Sequence, residues 1–422
     1  MDAEHFLPFR KSAVISLCTD ELPDAERESF AEFARLLAAL VHYEFHVRGE
    51  KVLDAYQLVD PAEDERAIRA ATAEDRAAAR VRVERELVAL AEAADFTRID
   101  AAEIQRAFAE HSLVKVRLEI DEEDIETAMF FRRGVSQRTE QVRWLFGLRR
   151  RSIEFTSYGK VLVYVAFAER PEAVVDRPNG GVLLKLFQNV PRNDLEMLYP
   201  SVRVRMRPLD KLLIGVPAAV SGIVVVVTKL VASLGPLVLL LAFWAGLREE
   251  SVPLDQATLV TLGAGVAAFG GYLVRQFSKF KNRKIKLMKT LSEHLYFSNL
   301  DNDAGVFHHL LGAAEESEVK EAVLAYHFLR TADRPLTAAE LDQRVEDWFR
   351  RQWGTSFDFQ IRDGLRRLRD WELLIEHEHA ALGVLPPDEA RQRLDHYWDN
   401  LFRVRPSGDG TADARRAAVT SI

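Results

Sequence analysis

The chain has a single cysteine, Cys18, in 422 residues. One thiol excludes an internal disulfide framework and any cysteine-based zinc site, and it fits a reducing compartment. The opening MDAEHFLPFRKSAV lacks the basic-then-apolar layout of a signal peptide, so the segment before the apolar region is expected to stay where it is made. Motifs of chemistry are missing as well. There is no P-loop, no GxGxxG between a strand and a helix, no HExxH and no nucleophile elbow. No catalytic residue, cofactor or metal is therefore expected. Glu376, His377, Glu378 and His379 have a metal-like look, but two histidines at i and i+2 without further ligands fall short of a closed zinc site. His308 and His309 are adjacent in what reads as a polar turn and are weaker still.

Charge of one sign is scarce only locally. The net charge is −8, which argues against a general nucleic-acid binder, yet its distribution is uneven. Arg203, Arg205, Arg207 and Lys211 stand against Asp210 alone. Arg275, Lys279, Lys281, Arg283, Lys284, Lys286 and Lys289 follow one another with no acid between them. These two basic collars bracket the one long apolar region and leave the rest of the chain strongly acidic.

In that region Lys229 is the only charge between Leu212 and Leu247, and none occurs between Ala257 and Val274. A helix over 256–274 would be about 28 Å long, close to the roughly 30 Å hydrocarbon core. The intervening loop holds Glu249, Glu250 and Asp255 against Arg248. With basic residues outside both ends, the pattern predicts a two-helix transmembrane hairpin over 229–274 with both termini cytoplasmic. Lys229 then snorkels to the inner headgroups. Residues 208–228 read as an apolar lead-in or interfacial helix, or as part of one long helix kinked near Gly235 and Pro236. Gly263, Ala267 and Gly271 repeat every four residues, a stripe that lets a helix approach closely, either the first span or another copy.

The remainder reads as cytoplasmic. Residues 1–110 form a helical region, with Phe30, Phe33, Leu36, Leu37, Leu40 and Val41 on a 3.6 period and a second helical run over 62–95. Residues 111–207 form an α+β domain of antiparallel strands at 113–120, 126–134, 150–159, 160–169 and 181–190, with a hairpin at Ser157, Tyr158 and Gly159. A short helix starts at Asn193 and stops at Pro200. Arg132, Arg133, Arg149, Arg150 and Arg151 are candidate anion contacts, or else a solvated face paired with acids such as Glu140 and Glu154. After a basic linker at 275–302, residues 303–402 show three helices followed by an alternating segment, the winged-helix layout, with Thr337 and Glu340 at capping-box spacing. Arg366, Arg367 and Arg369 fall on the recognition-helix position. This stretch is nevertheless net acidic, with Asp363, Asp370 and Glu372 beside them, which favours a protein partner over nucleic acid. Residues 403–422 read as a disordered tail.

At VLLKLFQNVPRNDLEMLYPSVRVRMRPLDKLLIGVP, residues 182–217, the sequence resembles the uncharacterised transmembrane protein 143 family. The matching residues are Val190, Pro191, Arg192, Asp194, Leu195, Glu196, Met197, Pro200, Arg205, Met206, Leu209, Asp210, Ile214, Gly215, Val216 and Pro217. The FFRRG and LFGLRRRSIEF segments and the two hydrophobic stretches also resemble it. The likeness extends over about residues 110–400 and implies an integral membrane protein with two spans and large soluble parts, without an activity to transfer. The combined expectation is an α+β membrane protein of the bacterial inner membrane, a non-enzymatic scaffold or sensor. Its collars Arg203, Arg205, Arg207, Lys211, Lys229 and Arg275 to Lys289 would meet anionic headgroups. Alternatives are an oligomeric channel or transporter packed through Gly263, Ala267 and Gly271, and an enzyme acting on lipid or phosphate groups near Arg132, Arg133 and Arg149. A homo-oligomer and a protein partner for the winged-helix-like domain are the expected associations, with no nucleic acid.

Overall fold

The computed structural model describes residues 5–60, 71–100, 102–104, 117–120, 125–144, 149–168, 181–198, 202–205, 242–247, positions scattered through 256–289, 297–354 and 358–402. They divide between two units, one of residues 1–106, 123–192 and 298–422, the other of 107–122 and 193–297.

In the first unit, apolar spacing at three and four residues sets the helices. Helix α1 (Lys11–Glu21) buries Val14 and Cys18, and α2 (Asp24–Gln57) buries Phe30, Phe33, Leu37, Leu40, Val41 and Phe45. The helix α3 (Ala73–Ala93) starts at a capping box: Thr72 Oγ1 accepts from Asp75 N at 3.1 Å while the Asp75 carboxylate accepts from Thr72 N at 2.9 Å. The helical run expected over 62–95 thus has a start signal within it, and residues 61–70 lie outside the described residues.

The strands are β1 (Thr97–Arg98), β3 (Ile125–Trp144), β4 (Arg149–Phe167), β5 (Val182–Pro191) and β7 (Asn299–Asn302), forming one sheet in the order β1-β3-β4-β5-β7 with antiparallel neighbours. β2 (Arg117–Ile120) and β6 (Val202–Arg205) belong to the second unit. No hairpin stands at Ser157, Tyr158 and Gly159; β4 runs straight through them. Gly159 reads as a turn residue, yet a side chain there would bring Cβ to 3.1 Å from the Arg133 carbonyl oxygen and 3.6 Å from the Gly134 Cα. Close approach of two strand backbones, with Gly134 at φ +76°, is why glycine sits there.

Helix α4 (Ala304–Arg330) is the centre of this unit. Every residue from Ser317 to Leu329 is buried. One sheet face, with Met129, Phe131, Leu162, Tyr164, Leu184 and Leu186, joins the same core as α2, α3 and α4. After α4, Leu336 pairs with Leu382, then come α5 (Ala338–Trp353), α6 (Ile361–Asp370) and the hairpin β8 (Leu374–Glu376) to β9 (Leu382–Val384). The order is helix, bridge, helix, helix, hairpin. Thr337 and Glu340 form their capping box at the start of α5. Helix α7 (Pro387–Asn400) lies along α2, with Arg391 3.1 Å from Glu32 and Tyr43 against Trp398.

In the second unit, β2 and β6 pair antiparallel, placing Arg203 opposite Glu119 and Arg205 opposite Arg117. A helical turn at 242–244 closes where Gly246, at φ +70°, donates its N–H to the Phe243 carbonyl at 3.1 Å.

Among the described residues no helix is long and apolar enough to cross a membrane. The fold is mixed α/β around a five-stranded antiparallel sheet. This corrects the expected α+β membrane protein with its two-helix transmembrane hairpin. With it go the integral membrane function, the channel or transporter alternative and the multi-pass inner-membrane location. Scarcity of charge reports only side-chain polarity, whereas a span also needs about 20 consecutive apolar residues within one helix. The longest described helices, α2 of 34 residues and α4 of 27, carry charges along their length and pack on each other. Residues 206–241, which include Arg207, Lys211, Lys229 and the lead-in segment, lie outside the described residues.

Candidate functional site

Among the described residues, the most exposed apolar surface is in the second unit. The described positions between Gln256 and Lys289 are helical and exposed, and those three or four residues apart share one face of a helix. Leu259, Val260 and Val274 are 53%, 66% and 66% exposed. Gly263, Ala264, Ala267, Gly270 and Gly271 lie between them, and a Cβ added at Gly263, Gly270 or Gly271 would meet nothing within 4 Å. Isolated exposed apolar residues are ordinary; a continuous apolar face marks an interaction surface. The expected packing residues Gly263, Ala267 and Gly271 are therefore open on this side. Arg275, Lys281 and Lys289 continue the same exposed face. Of the other collar residues, Arg203 and Arg205 are placed only by strand register, and Lys279, Arg283, Lys284 and Lys286 lie outside the described residues.

A second concentration of polar groups sits where the sheet meets α4. Cross-strand register aligns Arg133, Lys160 and Gln188 in one row. Arg133 is buried, donates to the Ala94 carbonyl at 2.8 Å and lies over the rings of Phe6 and Phe96. Its guanidinium is committed to packing, which removes it as a surface anion contact; burial lowers its pKa, opposed by Asp95 and Glu316. Asp95 accepts from Ser317 Oγ at 2.5 Å, and Lys320 donates to the Leu7 carbonyl at 2.9 Å. Burial raises the Asp95 carboxyl and lowers the Lys320 ammonium, each partly offset by the other's charge. Arg132 lies over Tyr158, 3.5 Å from Glu103, and Tyr158 donates to the same carboxylate at 2.7 Å. The side chain of Arg149 is outside the described residues; its backbone pairs with Trp144.

Three arginines of α6 are occupied within the chain. Arg367 reaches Glu318 and Glu44, Arg366 lies 3.2 Å from Asp363, and Arg369 is 3.2 Å from Glu376. On α5 and the loop after it, Asp342, Glu346 and Asp358 bring one carboxylate oxygen each within 4.8 Å of the others. Burial, then Glu346 and Asp358, push the Asp342 carboxyl up to about 6. His377 and His379 do not share a strand face: β8 ends at Glu376, and His379 is in a tight turn at φ +61°.

Sequence spacing does not reveal the pairing of Lys160 with His309. They meet from β4 and α4, with Lys160 Nζ 2.5 Å from His309 Nε2. Far from being in a polar turn, His309 lies inside α4. Neither residue belongs to a motif, and only the alternation of β4 hints at Lys160 by putting a charge in line with buried Leu162 and Tyr164.

Residues 158–305 match a family model described as "Protein of unknown function (DUF3754)". That match covers β5, β6, β7 and the exposed helical face, together with most of β4. No solved structure matches the chain.

Proposed function

We propose that this protein works as a homodimer, two copies joined antiparallel along the helical face 259–274. The observation that carries the reading is the symmetry of that exposed face about Ala267 over residues 260–274, with Leu259 left opposite Arg275 at its edge. Val260 and Val274, Gly263 and Gly271, and Ala264 and Gly270 stand equally far on either side of it. A two-fold axis makes an interface self-complementary, each residue meeting its mate. Crossing at Ala267, an antiparallel pair puts glycine against glycine and valine against valine. The small residues allow the backbones to come close, while the valines supply apolar area to bury.

Charge selects the orientation. Arg275, Lys281 and Lys289 all lie beyond one end of the apolar stretch. A parallel pair would bring these like charges together; an antiparallel pair sends them to opposite ends.

Sedimentation velocity of the full chain tests the reading. The expected result is a dimer for the wild type and a monomer for Gly263→Leu/Gly271→Leu, whose side chains hold the helices apart. A wild-type monomer at micromolar concentration, or an unchanged dimer in the double variant, overturns it.

A further inference from the structure

His327 is fully buried, and its two ring nitrogens meet different surroundings. Nε2 lies 3.0 Å from a carboxylate oxygen of Glu21, while Nδ1 is buried and hydrogen-bonds to nothing among the described residues. The other Glu21 oxygen accepts from the Trp348 indole N–H at 2.9 Å. An ionised carboxylate only accepts, so the imidazole proton belongs on Nε2 and Nδ1 carries a bare lone pair. Through this one carboxylate the last residue of α1 is tied to both α4 and α5.

The rest of the surroundings are aromatic. Phe30 of α2 meets the imidazole edge-on at 6.2 Å, and Phe328 of α4 does so at 5.1 Å. Charge acts on the ring from Glu21 on α1 and from Arg344 on α5. The Glu26 to Arg330 pair joins α2 to α4 one turn further along. A second proton, on Nδ1, would create a buried N–H with no acceptor among the described residues, and an unmade buried hydrogen bond is costly.

We propose that this junction is an acid-opened latch: neutral His327 holds α1 closed on α4, and its protonation opens α1 and uncovers Cys18. Cys18 lies on α1 three residues before Glu21 and is itself buried. In the closed form burial holds His327 below the ordinary histidine value, opposed by Glu21 and assisted by Arg344. In the open form the ring meets water and takes its proton near the ordinary value of about 6.5. Closure is therefore fully favoured above that value. It weakens as pH falls below it toward the closed-form value, by up to about tenfold per pH unit for one proton.

Cys18 is the only cysteine, so its rate of labelling by a dipyridyl disulfide reports the opening. The full chain is labelled between pH 8 and pH 5, and each rate is divided by that of the urea-unfolded chain at the same pH, which removes the titration of the thiol itself. The expected ratio is flat from pH 8 to pH 7 and rises at least about fivefold from pH 7 to pH 5, within the limit set by one proton. His327→Gln keeps an N–H for Glu21 but takes up no proton, and its ratio should change by less than about twofold over the same range. Far-UV circular dichroism shows whether this variant folds. If it does not, nitrogen NMR of the wild-type imidazoles decides, the expected result being one ring still neutral at pH 6 as the Nε2–H tautomer. His309, whose Nε2 faces the Lys160 ammonium, should show the other tautomer. A flat wild-type ratio, an equal rise in folded His327→Gln, or the lack of a neutral Nε2–H imidazole at pH 6 overturns the proposal.

Discussion

Arg367 donates to Glu318 from Nε at 2.6 Å, and its Nη2 lies 2.5 Å from the same carboxylate oxygen. The two side chains are only 15% and 5% exposed, the guanidinium also reaches Glu44, and it lies over the Trp371 ring. This ties α6 to α4 and α2. Removing one member of a buried pair strands the other charge, so Arg367→Ala should cost roughly 3–5 kcal/mol. Arg369→Ala, on an exposed pair, should stay within about 0.5 kcal/mol. Urea denaturation of the two variants checks the contrast.

Gly364 gives α6 its seat on α4. A Cβ at Gly364 would lie 2.7 Å from the Glu321 carbonyl oxygen and 2.8 Å from its carbon. Both contacts are backbone atoms in the stretch of α4 that is buried throughout, Ser317 to Leu329, so relief requires the helices to separate. Gly364→Ala should destabilise the protein by about 1–3 kcal/mol despite its better helix propensity. A rise in the urea midpoint would contradict this.

Glu321 sets a pH dependence. It is buried, and burial raises its pKa well above the ordinary value, reinforced by Asp95, Asp363 and Glu318 and opposed by Lys320. The folded chain therefore holds a proton that the unfolded chain releases in the ordinary carboxylate range. Its contribution is fully present below the unfolded pKa and declines as pH rises toward the folded one. Glu321→Gln, which cannot ionise, should lose less thermal stability than the wild type between pH 5 and pH 8. Parallel melting curves across that window test the difference.

Much of the local structure is legible in the sequence because its causes are local. Thr337 and Glu340 announce the start of α5 by their spacing, and the β-branched and aromatic residues of β5 announce a strand ending at Pro191. Where a residue type has two uses, the sequence misleads. Gly159 serves close strand contact instead of a turn, and Arg133 is packed between aromatic rings instead of facing solvent. A low-charge run has the same ambiguity, since polarity along a segment does not report the length of continuous helix. Lys160 and His309 are 149 positions apart, and only the packing of α4 on the sheet joins them. Gly263, Ala267 and Gly271 stand out by spacing alone; their exposure does not.

The antiparallel dimer is tested most directly by disulfide cross-linking at its axis. Cys18 is buried and free, and burial pushes its thiol up, so it stays unreactive and an introduced cysteine reports alone. A disulfide forms only where two Cα atoms come within about 4.4–6.8 Å. Under mild oxidation, Ala267→Cys should give a covalent dimer, whereas Asn282→Cys, far from the axis on the same exposed face, should remain monomeric. A monomeric Ala267→Cys, or equally fast cross-linking at position 282, would contradict the account.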